Sequence, residues 1–119
     1  LDNWETMIRQ RQNNAAYLRI KLSRLPITFP WKNAYSHAFM FFPMLVKNKE
    51  ELMLHLESRG IQPRTMMPLI NQPTVKPYLK RNYPIAKYIN ERGILIGCHQ
   101  FLKQKDLDYI VKSVKEFYL

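Results

Sequence analysis

The sequence predicts an α+β domain, a small, largely antiparallel sheet with helices packed mainly on one face. Three observations carry this. Apolar residues recur at steps of three and four near both ends of the chain, the period of amphipathic helices. Short apolar runs at 37–46 and 94–96 have the length of strands. Helical or proline-punctuated stretches separate those runs, which gives the order helix, strand, helix, possible strand, helix, strand, helix. The 119 residues suit a single domain, 1–119, and a composition of 46% apolar and 13% aromatic residues supplies a core. A chain of this length can bury roughly 65% of its unfolded surface.

Residues 2–25 predict the first helix. Trp4, Ile8, Ala15, Leu18, Leu22 and Leu25 form its apolar stripe, with Arg11 as a polar interruption, and no Pro or Gly occurs before Pro26. The chain opens directly on this helix, so it is expected to begin inside one, with part of the stripe's partner lying outside the chain. Residues 26–36 hold two prolines and several turn formers and predict a connection. The run 37–46 (HAFMFFPMLV) has aromatics at both parities, which predicts a strand covered on both faces. Pro43 lacks a ladder N–H and places that strand at an edge or a bulge. Asn48 and Glu51 resemble a capping box opening a second helix that ends near Arg59. Gly60 suits the left-handed position beyond it. Residues 61–67 can form a short strand. Pro63, Pro68, Pro73 and Pro77 then punctuate a long irregular stretch, and such a loop in a small domain is usually functional or flexible. Pro84 fits a first helical turn and Gly93 closes the helix it opens. Ile94–Ile96 predicts a short buried strand. In the last helix Leu107, Ile110, Val111, Val114, Phe117 and Tyr118 share one face, with Lys105, Asp108, Lys112, Lys115 and Glu116 mostly opposite.

Composition excludes several function classes. One cysteine rules out an internal disulfide and any multi-cysteine zinc or iron–sulfur site. Three scattered glycines rule out a phosphate-cradling glycine loop. The histidines, His37, His55 and His99, lack helical metal-ligand spacing. His55 is expected to be solvated. Cys98 and His99 are neighbours at a strand end and point to opposite faces, so Cys98 is expected to be buried structure and not a nucleophile. The first ten residues carry Asp2 and Glu5 and lack the pattern of a signal peptide. The longest apolar run, Ala38 to Val46, is far short of the ~20 residues that span a bilayer as a helix. These features predict a soluble, cytoplasmic chain without membrane partners.

The formal net charge is +10. Between Glu5 and Glu50 there is no acid and there are eight Lys or Arg residues. Residues 58–90 are also acid-free and hold Arg59, Arg64, Lys76, Lys80, Arg81 and Lys87. Such windows attract anions. They permit a phosphate-bearing ligand, a stand-alone basic nucleic-acid-binding module, or a surface facing an acidic partner. No RNA-binding aromatic signature or zinc-finger spacing accompanies them. Arg64 precedes the proline-punctuated loop, where a guanidinium can clamp a phosphate or carboxylate with two hydrogen bonds. Asn71 and Gln72 can add neutral hydrogen bonds to hydroxyls. A loop-bracing role remains open for all three.

One ordered set of segments is specific enough to suggest a family. A long helix carrying QRQNN is followed by FFPMLVKN, LESRGI, RTMMPLINQP, YPIAKYINERGILIG and DLDYIVKSVKEF. This set resembles the C-terminal domain of the DegT/StrS family of pyridoxal-phosphate-dependent sugar aminotransferases and related dehydratases. The resemblance covers essentially the whole chain. It implies the small C-terminal domain of a type I aminotransferase fold, closing one side of a nucleotide-sugar site. It implies pyridoxal phosphate in the full-length enzyme, with the Schiff-base lysine on a large N-terminal domain absent from this chain. No catalytic or cofactor-binding residue and no bound cofactor is then expected in this chain alone. Homodimers with active sites at the subunit interface are also implied. Gly60, Ile61, Arg64, Pro68, Leu69, Gln72 and Pro73 match the family's substrate-side segments, so Arg64, Asn71 and Gln72 are the expected substrate contacts. Met67 and Ile70 stand where many members have an aromatic and a histidine. Leu95, Ile96, Gly97 and Cys98 replace the usual LSLP, and Lys103 replaces the usual Ser or Thr cap of the last helix. These departures leave open whether the enzyme transfers an amino group or dehydrates the sugar.

Overall fold

The computed structural model describes residues 3–66 and 83–119. In order come helix α1 (Trp4–Lys21), a 3-10 turn (Ala34–Ser36), strand β1 (Phe42–Leu45) and helix α2 (Lys49–Ser58). Strand β2 (Arg64–Thr65), helix α3 (Pro84–Arg92), strand β3 (Gly93–Ile96) and helix α4 (Gln104–Phe117) complete it. The strands form one sheet in the order β1-β3-β2, antiparallel at both pairings. The architecture is the expected α+β one.

Register explains which side of the sheet is the core. Phe42 lies opposite Ile96 and Met44 opposite Ile94. Directly opposite residues share a face. All four are buried, and they cluster with Leu52 and Leu56 of α2, Leu18 of α1 and Val114 of α4. The alternate positions form a row across the other face: Pro43 lies opposite Leu95, and Leu95 opposite Arg64. Pro43 and Leu95 are only half-buried and Arg64 is exposed. The expected strand covered on both faces is therefore corrected. Among the described residues, α1, α2 and α4 supply the helical side of this core, and the other face is partly open.

Several boundaries shift for physical reasons. Helix α1 stops at Lys21, where bonds of the three-residue type, Ser23 N–H to Ile20 O and Leu25 N–H to Leu22 O, turn the chain ahead of Pro26. Its stripe holds at Ala15, Leu18 and Leu22, but Trp4 is 57% exposed. The strand expected over 37–46 is only Phe42–Leu45, because Phe39 takes a left-handed φ of 50° and breaks the extended run. β1 is an edge strand, as Pro43 requires, and Thr28 covers part of its outer side by exchanging both backbone hydrogen bonds with Leu45.

Helix α2 starts after Asn48 as expected, yet the Asn48 side chain makes no cap bond. Its other end is fully built. Gly60 sits at φ +79°, its N–H donates to Glu57 O, and the Ile61 N–H donates to Leu56 O. This pair of bonds satisfies the last carbonyls and aims the chain at the sheet. Helix α3 begins on Pro84. Gly93 does close it, but with φ −79° and ψ 127°, already extended. Glycine is needed there for space: a Cβ would lie 2.6 Å from Ile89 O and 2.7 Å from Met66 Sδ. At α4 the Asp106 carboxylate accepts from the Lys103 N–H at 2.8 Å, one half of a capping box.

His55 is not simply solvated. Its Nε2–H donates to Ser113 O at 2.8 Å and its ring packs on Phe117, because α2 and α4 lie side by side. The same helices are joined by Arg59 and Glu116. The Arg59 guanidinium holds the Glu116 carboxyl below the usual range. That support is present above the carboxyl's unfolded pKa and fades as pH falls through its folded one.

Candidate functional site

Arg64 owes its position to three local features. The turn at Gly60 delivers the chain to the sheet edge, Pro63 precedes the strand without a donor N–H, and pairing with Leu95 and Ile94 fixes the register. The Arg64 guanidinium carbon then lies 5.6 Å from the centre of the Phe41 ring, within cation–π range. Asn71 and Gln72 lie outside the described residues, as do Met67, Pro68, Leu69, Ile70 and Pro73. Of the expected substrate contacts, Arg64 alone is placed here.

Phe41 also borders a cavity of ≈ 220 Å³ whose other walls include Pro30, Trp31, Phe39 and Pro43. The aromatic rings around it interlock at edge-to-face or tilted angles. Trp31 and Phe39 have ring centres 4.8 Å apart, and Trp31 and Phe42 5.9 Å. Arg19 of α1 stacks 4.6 Å from the Trp31 ring and donates to Trp31 O and Lys32 O.

Composition gave little sign of the residues that hold these loops. Gln12 is buried and donates to His37 O at 2.8 Å. Asn14, 1% exposed, donates to His99 O at 2.9 Å and Cys98 O at 3.3 Å. Arg11 donates to Gln100 Oε1 at 2.8 Å. The available signal was a run of amides, QRQNN, on the flank of an apolar stripe. Amides in that position satisfy loop carbonyls that would otherwise be buried without partners.

Cys98 is fully buried, with its thiol against Phe39 O, and burial pushes it up to about 11. His99 is exposed, and its Nδ1 accepts from the Phe101 N–H. The two side chains have separate partners, as a structural Cys98 requires. Thiolate is the reactive form. The native chain is therefore expected to react with a thiol-titrating disulfide reagent at least about tenfold more slowly than the unfolded chain at pH 8, measured by absorbance.

Among the described residues no three His, Cys, Asp or Glu side chains come together to hold a metal ion. No described helix is long and apolar enough to cross a membrane. Lys49 is the described lysine whose amine burial lowers, and its Nζ donates to Asn90 O at 2.7 Å.

The three-stranded antiparallel sheet packed under helices is matched by solved aminotransferase structures, which gives the fold class. Over residues 1–115 the sequence matches the DegT/DnrJ/EryC1/StrS aminotransferase family, and the chain belongs to that family. Its fold is that of the family's C-terminal domain. The structure is similar to the sugar aminotransferase CalS13 from Micromonospora echinospora, with 19% identity and a TM-score of 0.83 over 94% of this chain and 31% of that one. It is similar to a DegT/DnrJ/EryC1/StrS aminotransferase from Brucella abortus, with 21% identity and a TM-score of 0.83 over 95% of this chain and 31% of that one. A GDP-4-keto-6-deoxymannose-3-dehydratase solved with a trapped PLP–glutamate geminal diamine shares 22% identity and a TM-score of 0.79, over 95% of this chain and 32% of its own. The chain thus spans about a third of the length of the solved structures it matches. No curated protein matches it in sequence.

Proposed function

We propose that this chain is the C-terminal, substrate-covering domain of a pyridoxal-phosphate-dependent enzyme that transfers an amino group, from glutamate, to a nucleotide-linked keto-sugar. The family match over residues 1–115 carries the reading. A sugar dehydratase is the second reading, favoured by the dehydratase among the similar structures. The full-length protein is a cytoplasmic homodimer in this proposal, and its N-terminal domain supplies the lysine.

Within this chain the task is binding. Arg64, on the open face of the sheet, grips phosphate oxygens with paired N–H donors. Asn71 and Gln72 donate to and accept from hydroxyls. The charge supports this: Arg64 and its loop sit in the acid-free window 58–90. Pyridoxal phosphate, when bound, supplies the electron sink for the chemistry. The residues here orient the substrate and exclude water.

The test uses the full-length protein that carries this chain, supplied with pyridoxal phosphate, glutamate and a panel of nucleotide-linked keto-sugars, with products read by mass spectrometry. Glutamate-dependent amination supports the first reading, and loss of water supports the second. No change in any sugar overturns both. Arg64→Ala is expected to raise KM about tenfold with kcat retained, the signature of lost uniform binding.

A further inference from the structure

A groove of ≈ 440 Å³ lies where the end of α1 meets the end of α4. Its walls include Ile20, Leu25 and Leu119, together with Lys21, Arg24 and Lys115. Ile20 is 70% exposed. No acidic side chain lines the groove, and none of the three cations makes an ion pair among the described residues. Lys21 is steadied over the Tyr17 ring, 5.6 Å from its centre. An apolar floor among unpaired cations suits a segment that carries an apolar side chain between carboxylates.

The chain carries such a segment itself. Glu50, Leu54 and Glu57 follow steps of four and three along α2 and share one face, with Glu51 beside them. All four are exposed, Leu54 by 68%, while Leu52 and Leu56 turn into the core. The acids of α4 are already committed. Asp106 accepts from the Lys103 N–H, Asp108 from the Tyr17 hydroxyl and the Gln104 amide, and Glu116 pairs with Arg59. The three glutamates of α2 make no ion pair among the described residues. In a chain of formal net charge +10, this face is the charge complement of the groove, with an apolar residue at its centre as well.

We propose that the groove docks α2 of a second copy of this chain, with Leu54 against Ile20 and Leu25 and the glutamates against Lys21, Arg24 and Lys115. The proposal goes beyond the reaction and does not depend on it. Groove and α2 face are different patches, so the contact is heterologous and can close into a ring or add further copies. Buried apolar side chains hold such a contact, and the surrounding charges set its orientation and its salt dependence.

The test is sedimentation velocity of the full-length protein that carries this chain, over a range of concentrations at about 50 mM and about 500 mM salt. Larger species are expected to grow with concentration at low salt and to weaken at least about tenfold at high salt. One variant reverses the groove (Lys21→Glu, Arg24→Glu, Lys115→Glu), and another reverses the α2 face (Glu50→Lys, Glu51→Lys, Glu57→Lys). All six positions are exposed. Each variant alone is expected to lose the larger species, and an equal mixture of the two to regain them, which also shows that both are folded. Leu54→Gln leaves every charge in place and suits a helix, and it is expected to weaken assembly about tenfold. Absence of larger species in the unsubstituted protein overturns the proposal, as does their survival in both reversed variants or their failure to return in the mixture. A groove reversal that lowers the melting temperature where no assembly forms gives the groove to another part of the same protein. A single-stranded oligonucleotide whose binding the groove reversal abolishes, again without assembly, gives it to nucleic acid. Either result overturns the proposal.

Discussion

Phe42→Ala is expected to lower the unfolding free energy by about 3–5 kcal/mol, read as a shifted urea midpoint at unchanged slope. Phe42 is fully buried, pairs with Ile96 in the sheet, and has ring contacts to Phe29 at 5.6 Å and Trp31 at 5.9 Å. Truncation removes the transfer free energy of the ring and leaves a cavity that two rigid neighbours cannot fill. The effect belongs to the side of the sheet that faces the helices. Leu95→Ala, one residue along the partner strand but on the half-buried face, is the internal comparison and is expected to cost clearly less. Equal losses at both positions would show that the two faces are equally closed.

Asn14→Leu is expected to destabilise the chain by about 2–3 kcal/mol despite its similar volume. The substitution strands the Cys98 and His99 carbonyls, which Asn14 holds from inside the fold, and releases Gln10, whose amide donates to Asn14 Oδ1 at 2.9 Å. Buried acceptors left without donors lose their solvation without replacement. Asn13→Ala, one position away, is the control. Asn13 is exposed and only accepts from the Tyr35 hydroxyl at 3.1 Å, so its loss should stay within about 0.5 kcal/mol. Thermal melts of the two variants side by side decide the matter.

Those two asparagines show what the sequence could and could not convey. Elements fixed by local chemistry were legible: Pro84 opening α3, Gly60 ending α2, and the apolar face of α4. The length of β1 was not, because Phe39 adopts its left-handed backbone in a loop tied down by Gln12 and Cys98 from elsewhere in the chain. His55 looked solvated because its partner, the Ser113 carbonyl, is brought to it only when α2 and α4 pack. The place of Arg64 after a helix and a glycine was legible, and the structure puts it in the edge strand opposite Leu95. Its neighbour Phe41 was not legible, since the sheet brings together two segments from different parts of the chain. The glycine at 93 was legible as a boundary but for another reason: a close approach of Ile89 O and Met66, which no local pattern encodes.

The join at Gly93 also shapes how the domain moves. Helix α3 ends at Arg92 and strand β3 begins at Gly93, with no linker between them. β3 is the central strand, held on both sides, and the Arg92 carbonyl accepts from the Val46 N–H. A tilt of α3 is therefore expected to pass into its strand and not be absorbed by a loop. Amide hydrogen exchange along Ile94–Ile96 should then behave as a gauge: these protons open with the whole domain and not piecemeal, and a ligand that fixes α3 should slow all of them together.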